Sequence, residues 1–395
     1  MKPETTAGKL KISILSPTLS KGGLDRAYIL GQALQTLNYD VAILGCLFTE
    51  RIYPLPPPNL PVDSVPGGIY PQLFISAQQL LNKIDGDIVL AVKPKPTSFG
   101  VALLKKVLTR KPVILDIDDW ELSWCGGENW RYRPPSLKQF YRDVFKKDGQ
   151  LRQSDHPIYL QWMERLVSRA DAITVDTEFL KKRFGGVYLP NGKDTEMFNP
   201  QQYDPEISRE RYGLRGYRVL MFPGAPRPHK GVEDVLMALD LLNEPDLRLV
   251  IVGGSPYDDY DQQLMEKWGE WMIKLPPCPV EKMPEVVAAA HVVVVPQRDT
   301  VTAQAQFPLK LTDGMAMAKP VLSTCVGDIP EILGDTGYVV KPNSPQQLAE
   351  SIRQIFSNWE DAQIKGSQAR QKCVENYSLE AMAVILSKVI AGLSV

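Results

Sequence analysis

The sequence predicts an α/β protein made of two doubly wound domains, each with a mostly parallel sheet covered by helices. Three observations lead there. Short β-branched runs alternate with longer helical patterns from residue 11 to residue 176. The same alternation restarts at residue 218 and continues through the last third of the chain. Between the two series, LPNGKDTEMFNP (189–200) interrupts both periodicities with Pro, Asn and Gly. At about 150 residues per domain, a chain of 395 residues has room for two or three. The expected division is residues 1–190, then 191–376, with a helix over 377–395 packing back on the first domain.

Each element has its own warrant. In the first series, KISILS (11–16), DVAILGC (40–46), DIVLAV (87–92), PVILDI (112–117) and DAITVD (171–176) are apolar runs too short for helices. Residues 25–37 place Tyr28, Leu30, Leu34 and Leu37 at helical spacing; residues 99–108 and 159–170 follow the same rule. In the second series the strands are RVLMF (218–222), LRLVIVG (247–253), HVVVVP (291–296), PVLST (320–324) and GYVVK (337–341). Helices are expected over 232–242, 262–271, 283–289, 309–317, 345–356 and 360–373, and SLEAMAVILSKVIAGL (378–393) is amphipathic. Apolar strands separated by helices require a sheet buried on both faces. The proline-rich stretch 53–68 is expected to be a loop. Residues 121–156 form a long insertion with Trp124 and Trp130 among Lys and Arg, which suits either a packing lid or a functional segment.

Composition narrows the function classes. Hydrophobic residues make up 44% and charged residues 23%, with a formal net charge of −1. That balance disfavours a general nucleic-acid binder. Five scattered cysteines and three unpaired histidines lack metal-ligand spacing, so reduced thiols and no metal site are expected. The polar start MKPETTAGK leads into a strand, and no run is long enough to span a bilayer. A cytoplasmic location is expected, with peripheral membrane contact left open.

The chemistry-bearing residues lie after strand ends, where open α/β sheets bind ligands. MFPGAPRPHKGVEDV (221–235) runs from strand through Gly224 to two cations, Arg227 and Lys230, and then to a helix start. A helix N-terminus flanked by Arg and Lys is a plausible diphosphate clamp; a basic surface loop is the plainer alternative. After the first strand, Gly22 and Gly23 permit a close approach of backbone amides to a ligand, or simply a turn. Asp118 and Asp119 follow PVILDI and suit hydroxyl binding or base chemistry, with helix capping the alternative. Near residue 309 a further helix begins, with Pro308 at its start, Lys310 adding charge, and Asp313 placed either to hold a ribose diol or to stand exposed at the helix end.

Together these segments resemble glycosyltransferase family 4, most strongly over 189–331. LPNGKDTEMFNP is similar to the family's PNG-V-D-x-x-x-F-x-P segment, with Lys193 at the Val position. FPLKLTDGMAMAKPVLSTCVGDIPEIL resembles its donor-binding block, and Gly22 and Gly23 match its N-terminal glycine loop. The resemblance implies a GT-B fold, two Rossmann-like domains facing across a cleft, and retaining transfer from a nucleotide diphosphate sugar with neither cofactor nor catalytic metal. It gives Lys230 the family's lysine role, with Arg227 beside it, and gives Asp313 the ribose, as second acid of the E-x7-E motif. Phe307, Pro308, Leu309 and Lys310 would line sugar and phosphates, partly through backbone amides. Asp118 falls near an acceptor-facing position. Two positions depart: Ala225 occupies the family arginine slot, and Ala305 replaces the first acid.

The expected function is therefore hexosyl transfer to the hydroxyl of a glycan, lipid-linked or protein acceptor. An epimerase or hydrolase on the same fold, and a non-catalytic sugar-nucleotide binder, are the alternatives. Ala225 and Ala305 favour the last.

Overall fold

The computed structural model describes residues 9–20, 24–255 and 258–393. Among them the chain divides into two compact units, Met1–Pro190 with Met382–Val395, and Asn191–Ala381. Both are built as parallel sheets with helical crossovers.

The first sheet has seven strands: β1 (Lys11–Ser16), β2 (Asp40–Leu47), β3 (Val62–Pro66), β4 (Ile88–Val92), β5 (Val113–Ile117), β6 (Ala172–Val175) and β7 (Val187–Tyr188), ordered β3-β2-β1-β4-β5-β6-β7. The second has six: β8 (Arg218–Phe222), β9 (Leu247–Val252), β10 (Met272–Leu275), β11 (Val292–Val295), β12 (Val321–Thr324) and β13 (Tyr338–Val340), ordered β10-β9-β8-β11-β12-β13. Strand order reverses between β1 and β4 in one sheet and between β8 and β11 in the other. Beyond the carboxyl ends of those pairs lie the crevices where this architecture binds ligands.

The apolar runs are explained by burial on two faces. In the second unit Val219, Met221, Val250, Val293 and Val295 enter one core, while Leu220, Phe222, Ile251, Val292 and Val294 enter the other. Alternate side chains along one strand therefore feed opposite helical layers, so most positions along it must be apolar. In the first unit every residue of β4 and β5 is buried, Asp116 included.

Two expectations need correction. Residues 53–68 are not all loop: β3 pairs in parallel with β2, Ile43 opposite Val62. As an edge strand it hydrogen-bonds on one side only, which is why Pro66 is tolerated at its end. The helix expected over 262–271 is Tyr260–Trp268, and the chain turns at once into β10. The insertion 121–156 contains short 3-10 turns and a nine-residue helix, Leu137–Phe145.

Candidate donor-side and acceptor-side sites

In the second unit the loops after β8 and β11 are locked together. Gly231 has φ 68°, and a Cβ there would lie 1.9 Å from the Pro296 carbonyl oxygen, so no other residue fits. The Arg298 amide donates to the His229 carbonyl at 3.0 Å. Its guanidinium donates to Asp234 at 2.6 and 3.1 Å, and lies 3.5 Å from Glu233. Helix Val232–Leu242 thus carries its own acids in the first turn, bound by Arg298. This corrects the expectation that its dipole stands open for a ligand: Arg298 and the helix's own acids occupy that end.

Arg227, Lys230 and Lys310 converge. Lys230 Nζ donates to Gln306 Oε1 at 3.3 Å. Lys310 reaches over Gly224 from helix Leu309–Ala316; a Cβ on Gly224 would meet its Cε at 2.7 Å and its Nζ at 3.2 Å. Its ammonium lies 5.0 Å from the Phe222 ring centroid. Among the described residues it has no hydrogen-bond or ion-pair partner. Burial and the charges of Arg227 and Lys193 push the Lys310 pKa down, against the pull of Asp313. His229, buried beside Lys230, Arg227 and Lys310, is lowered to about 4 and is neutral at pH 7.

Asp313 lies on the same helix as Lys310, and residues 307 and 308 lead into it. Asp313 is buried, which removes the exposed alternative, and Lys193 donates to its Oδ1 while the Lys193 ammonium sits 4.3 Å from the Phe198 ring centroid. Phe307 belongs to the apolar core, its ring 6.1 Å from that of Tyr377, which leaves only its backbone for a ligand. Pro308 precedes the helix, whose first turn has no acid and no side-chain cap, and Leu309 begins it. Ala305 is fully buried and contributes no polar atom to the crevice.

In the first unit Gly22 and Gly23 lie outside the described residues. Asp118 and Asp119 follow β5 and meet Lys93, which follows β4 directly: Lys93 Nζ lies 3.7 and 3.9 Å from their carboxylates and 2.7 Å from Glu121. Lys95 is 2.8 Å from Glu121. Asp119 accepts from Trp124 Nε1 at 3.1 Å, and the 3-10 turn that follows, Glu121–Cys125, has no side-chain cap. Beneath them the buried Arg26 grips Asp116 with two bonds of 2.7 and 2.8 Å, and Thr174 donates to the same carboxylate at 2.6 Å. Burial and neighbouring carboxylates raise Asp118 to about 6 and lift Asp176, which follows β6, well above the usual range. Burial opposes ionisation of Glu121 too, yet Lys93 and Lys95 overcome it and hold its pKa at about 2. Lys93 and Asp176 were legible by the same strand-end rule that selected Asp118. Arg26 gives no such signal, since a lone Arg in a helical pattern reads as surface.

The match to known proteins agrees with this geometry. Residues 217–358 match the family model described as glycosyl transferases group 1. The match lies within the second unit and covers about a third of the chain. A GDP-mannose-dependent alpha-(1-6)-phosphatidylinositol monomannoside mannosyltransferase of Mycolicibacterium smegmatis is 26% identical over 252 residues, which is 60% of this chain and 66% of that protein. A D-inositol 3-phosphate glycosyltransferase of Corynebacterium aurimucosum is 27% identical over 58% of each chain. The chain thus aligns with less than two thirds of the length of either relative. The Anabaena protein HepE, solved in complex with UDP and glucose, superposes with a TM-score of 0.71 at 16% identity over 97% of this chain and all of that one. Two Rossmann-like units with this topology make the fold GT-B.

Proposed function

We propose that the protein moves a hexose from a nucleotide diphosphate sugar to an acceptor hydroxyl, with retention at the anomeric carbon and no catalytic metal. One observation carries the reading. Lys310 holds an unpartnered ammonium where Arg227 and Lys193 already depress its pKa, with Lys230 on the same rim. Positive charge is stacked this way at a cost that a dianionic ligand would repay. In the departing diphosphate, charge grows as the glycosidic bond breaks, and fixed ammonium and guanidinium groups stabilise it most at that moment. The names of the two sequence relatives, both sugar transferases and one dependent on GDP-mannose, support the same class of donor. Asp313 would meet the ribose, and the aspartates after β5 would face the acceptor.

The test is turnover with a panel of nucleotide sugars. Lys230→Ala should lower the rate by about 100-fold or more, the scale of losing one preorganised charge at a developing anion, with an unaltered circular-dichroism spectrum. A rate equal to wild type would remove the clamp from the mechanism. Activity should persist in excess chelator; its loss there, and recovery with a divalent cation, would overturn metal independence.

A further inference from the structure

Helix Leu137–Phe145 is inside out. Leu137, Phe140, Tyr141 and Phe145 are 88, 45, 58 and 62% exposed. Their spacing places them on one stripe. The opposite face is polar and faces inward: Asp143 is buried and accepts from Tyr132 Oη at 2.6 Å and from Gln139 Nε2 at 2.7 Å. A soluble helix normally gains its stability by the reverse arrangement. Here polar bonds fix the helix and leave its apolar stripe in water, a costly state for large aromatics unless another phase covers them.

The stripe continues beyond the helix. The Tyr141 and Phe145 rings meet at 4.7 Å between centroids, tilted by 36°, and Phe145 borders a cavity of about 450 Å³ shared with Tyr70, Pro71, Leu151 and Tyr159. On its far side Tyr70 meets Phe74 at 5.3 Å and Tyr159 meets Trp162 at 5.6 Å, both outer rings at least half exposed. Charge is equally one-sided. From residue 131 to 148 the chain carries six exposed cations, Arg131, Arg133, Lys138, Arg142, Lys146 and Lys147, against two acids, the buried Asp143 and Asp148, which pairs with Arg142.

We propose that this face docks on an anionic lipid bilayer surface, with the aromatic stripe at the boundary between headgroups and acyl chains and the cations on the headgroups. Aromatic rings and long basic side chains are the residues that suit that boundary, each having an apolar body and a polar end. No helix among the described residues is long and apolar enough to cross a membrane, so this contact is peripheral. It stands independently of the sugar-transfer reading.

The full chain should be sedimented with vesicles of phosphatidylcholine alone and of phosphatidylcholine with phosphatidylglycerol. The expected result is strong retention on the anionic vesicles only, weakened by salt. Lys146→Gln with Lys147→Gln should weaken it about 30-fold, each surface cation being worth about a factor of five. Phe140→Ser with Phe145→Ser should abolish it while the urea unfolding curve stays in place. Equal binding to both vesicle types, absence of binding, or wild-type binding by either double variant would overturn the proposal. So would a dimer in sedimentation velocity that Phe140→Ser with Phe145→Ser dissociates, because the face would then belong to a second copy.

Discussion

Lys193 and Asp313, 120 residues apart in sequence, form an ion pair at the edge of the cationic crevice, each with little more than a tenth of its side chain exposed. The pair explains why an acid is tolerated among groups suited to phosphate: its charge is already answered. It also brings together the position where the family pattern has Val and the acid matched to the ribose-binding role.

Lys193→Met should therefore destabilise the fold by about 3 kcal/mol, because a nearly buried carboxylate loses its counter-charge. Adding Asp313→Leu should recover most of that loss. A double-mutant cycle in urea checks it: additive effects would show that the two groups do not stabilise one another.

Gly224→Ala should act on ligand binding more than on folding. The new methyl would lie 2.7 Å from Lys310 Cε, at a φ of 153° that side chains seldom adopt. Lys310 is flexible enough to swing aside and leave the crevice. The expected outcome is about a tenfold loss of nucleotide diphosphate affinity by calorimetry, with a stability cost near 1 kcal/mol. Unchanged affinity would show that Lys310 does not reach the phosphates.

The contrast between what was and was not legible has a physical basis. Strands such as VVVV (292–295) and IVLAV (88–92) declare themselves because burial on both faces leaves no polar position. VDSVP (62–66) hides because an edge strand keeps one side in solvent and can hold Asp and Pro. The helix Leu73–Lys83 shows no clean stripe, since Phe74 and Ile75 point outward while Leu73 and Leu80 are buried. Arg227, Lys230 and Gly224 were visible as one short segment after a strand. The Arg26–Asp116 and Lys193–Asp313 pairs were not, because chain crossovers bring their members together and no local pattern records it.

Arg26→Lys tests the buried support under Asp118 and Asp119. Arg26 makes two parallel bonds to Asp116 and a third to the Leu189 carbonyl at 2.9 Å, with both charged side chains almost wholly buried. An ammonium can keep the charge without matching the planar fork. The substitution should cost about 3 kcal/mol or more, and Arg26→Met more still, because Asp116 would be left charged in the interior. Thermal unfolding measures both; a change below 1 kcal/mol for Arg26→Met would show that Thr174 alone suffices for Asp116.

Asp118 gives the clearest pH signature. Its carboxyl ionises at about 6 in the folded chain against an ordinary value of 3.8, because burial and Asp116 outweigh Lys93. Between those two values the unfolded chain has released the proton while the folded one retains it. Stability therefore falls as pH rises from about 4 to 6 and stays reduced above. Asp118→Asn removes the titrating group while keeping its shape, so the variant should be more stable than wild type at pH 7, by about 2 kcal/mol. That advantage should hold from pH 7 to just above 6 and shrink as pH is lowered from 6 toward 4, since wild-type Asp118 regains its proton there. Urea unfolding at a series of pH values decides the matter. A variant less stable than wild type at pH 7 would mean that the attraction of Lys93 dominates and that the Asp118 carboxyl is not raised in the folded chain.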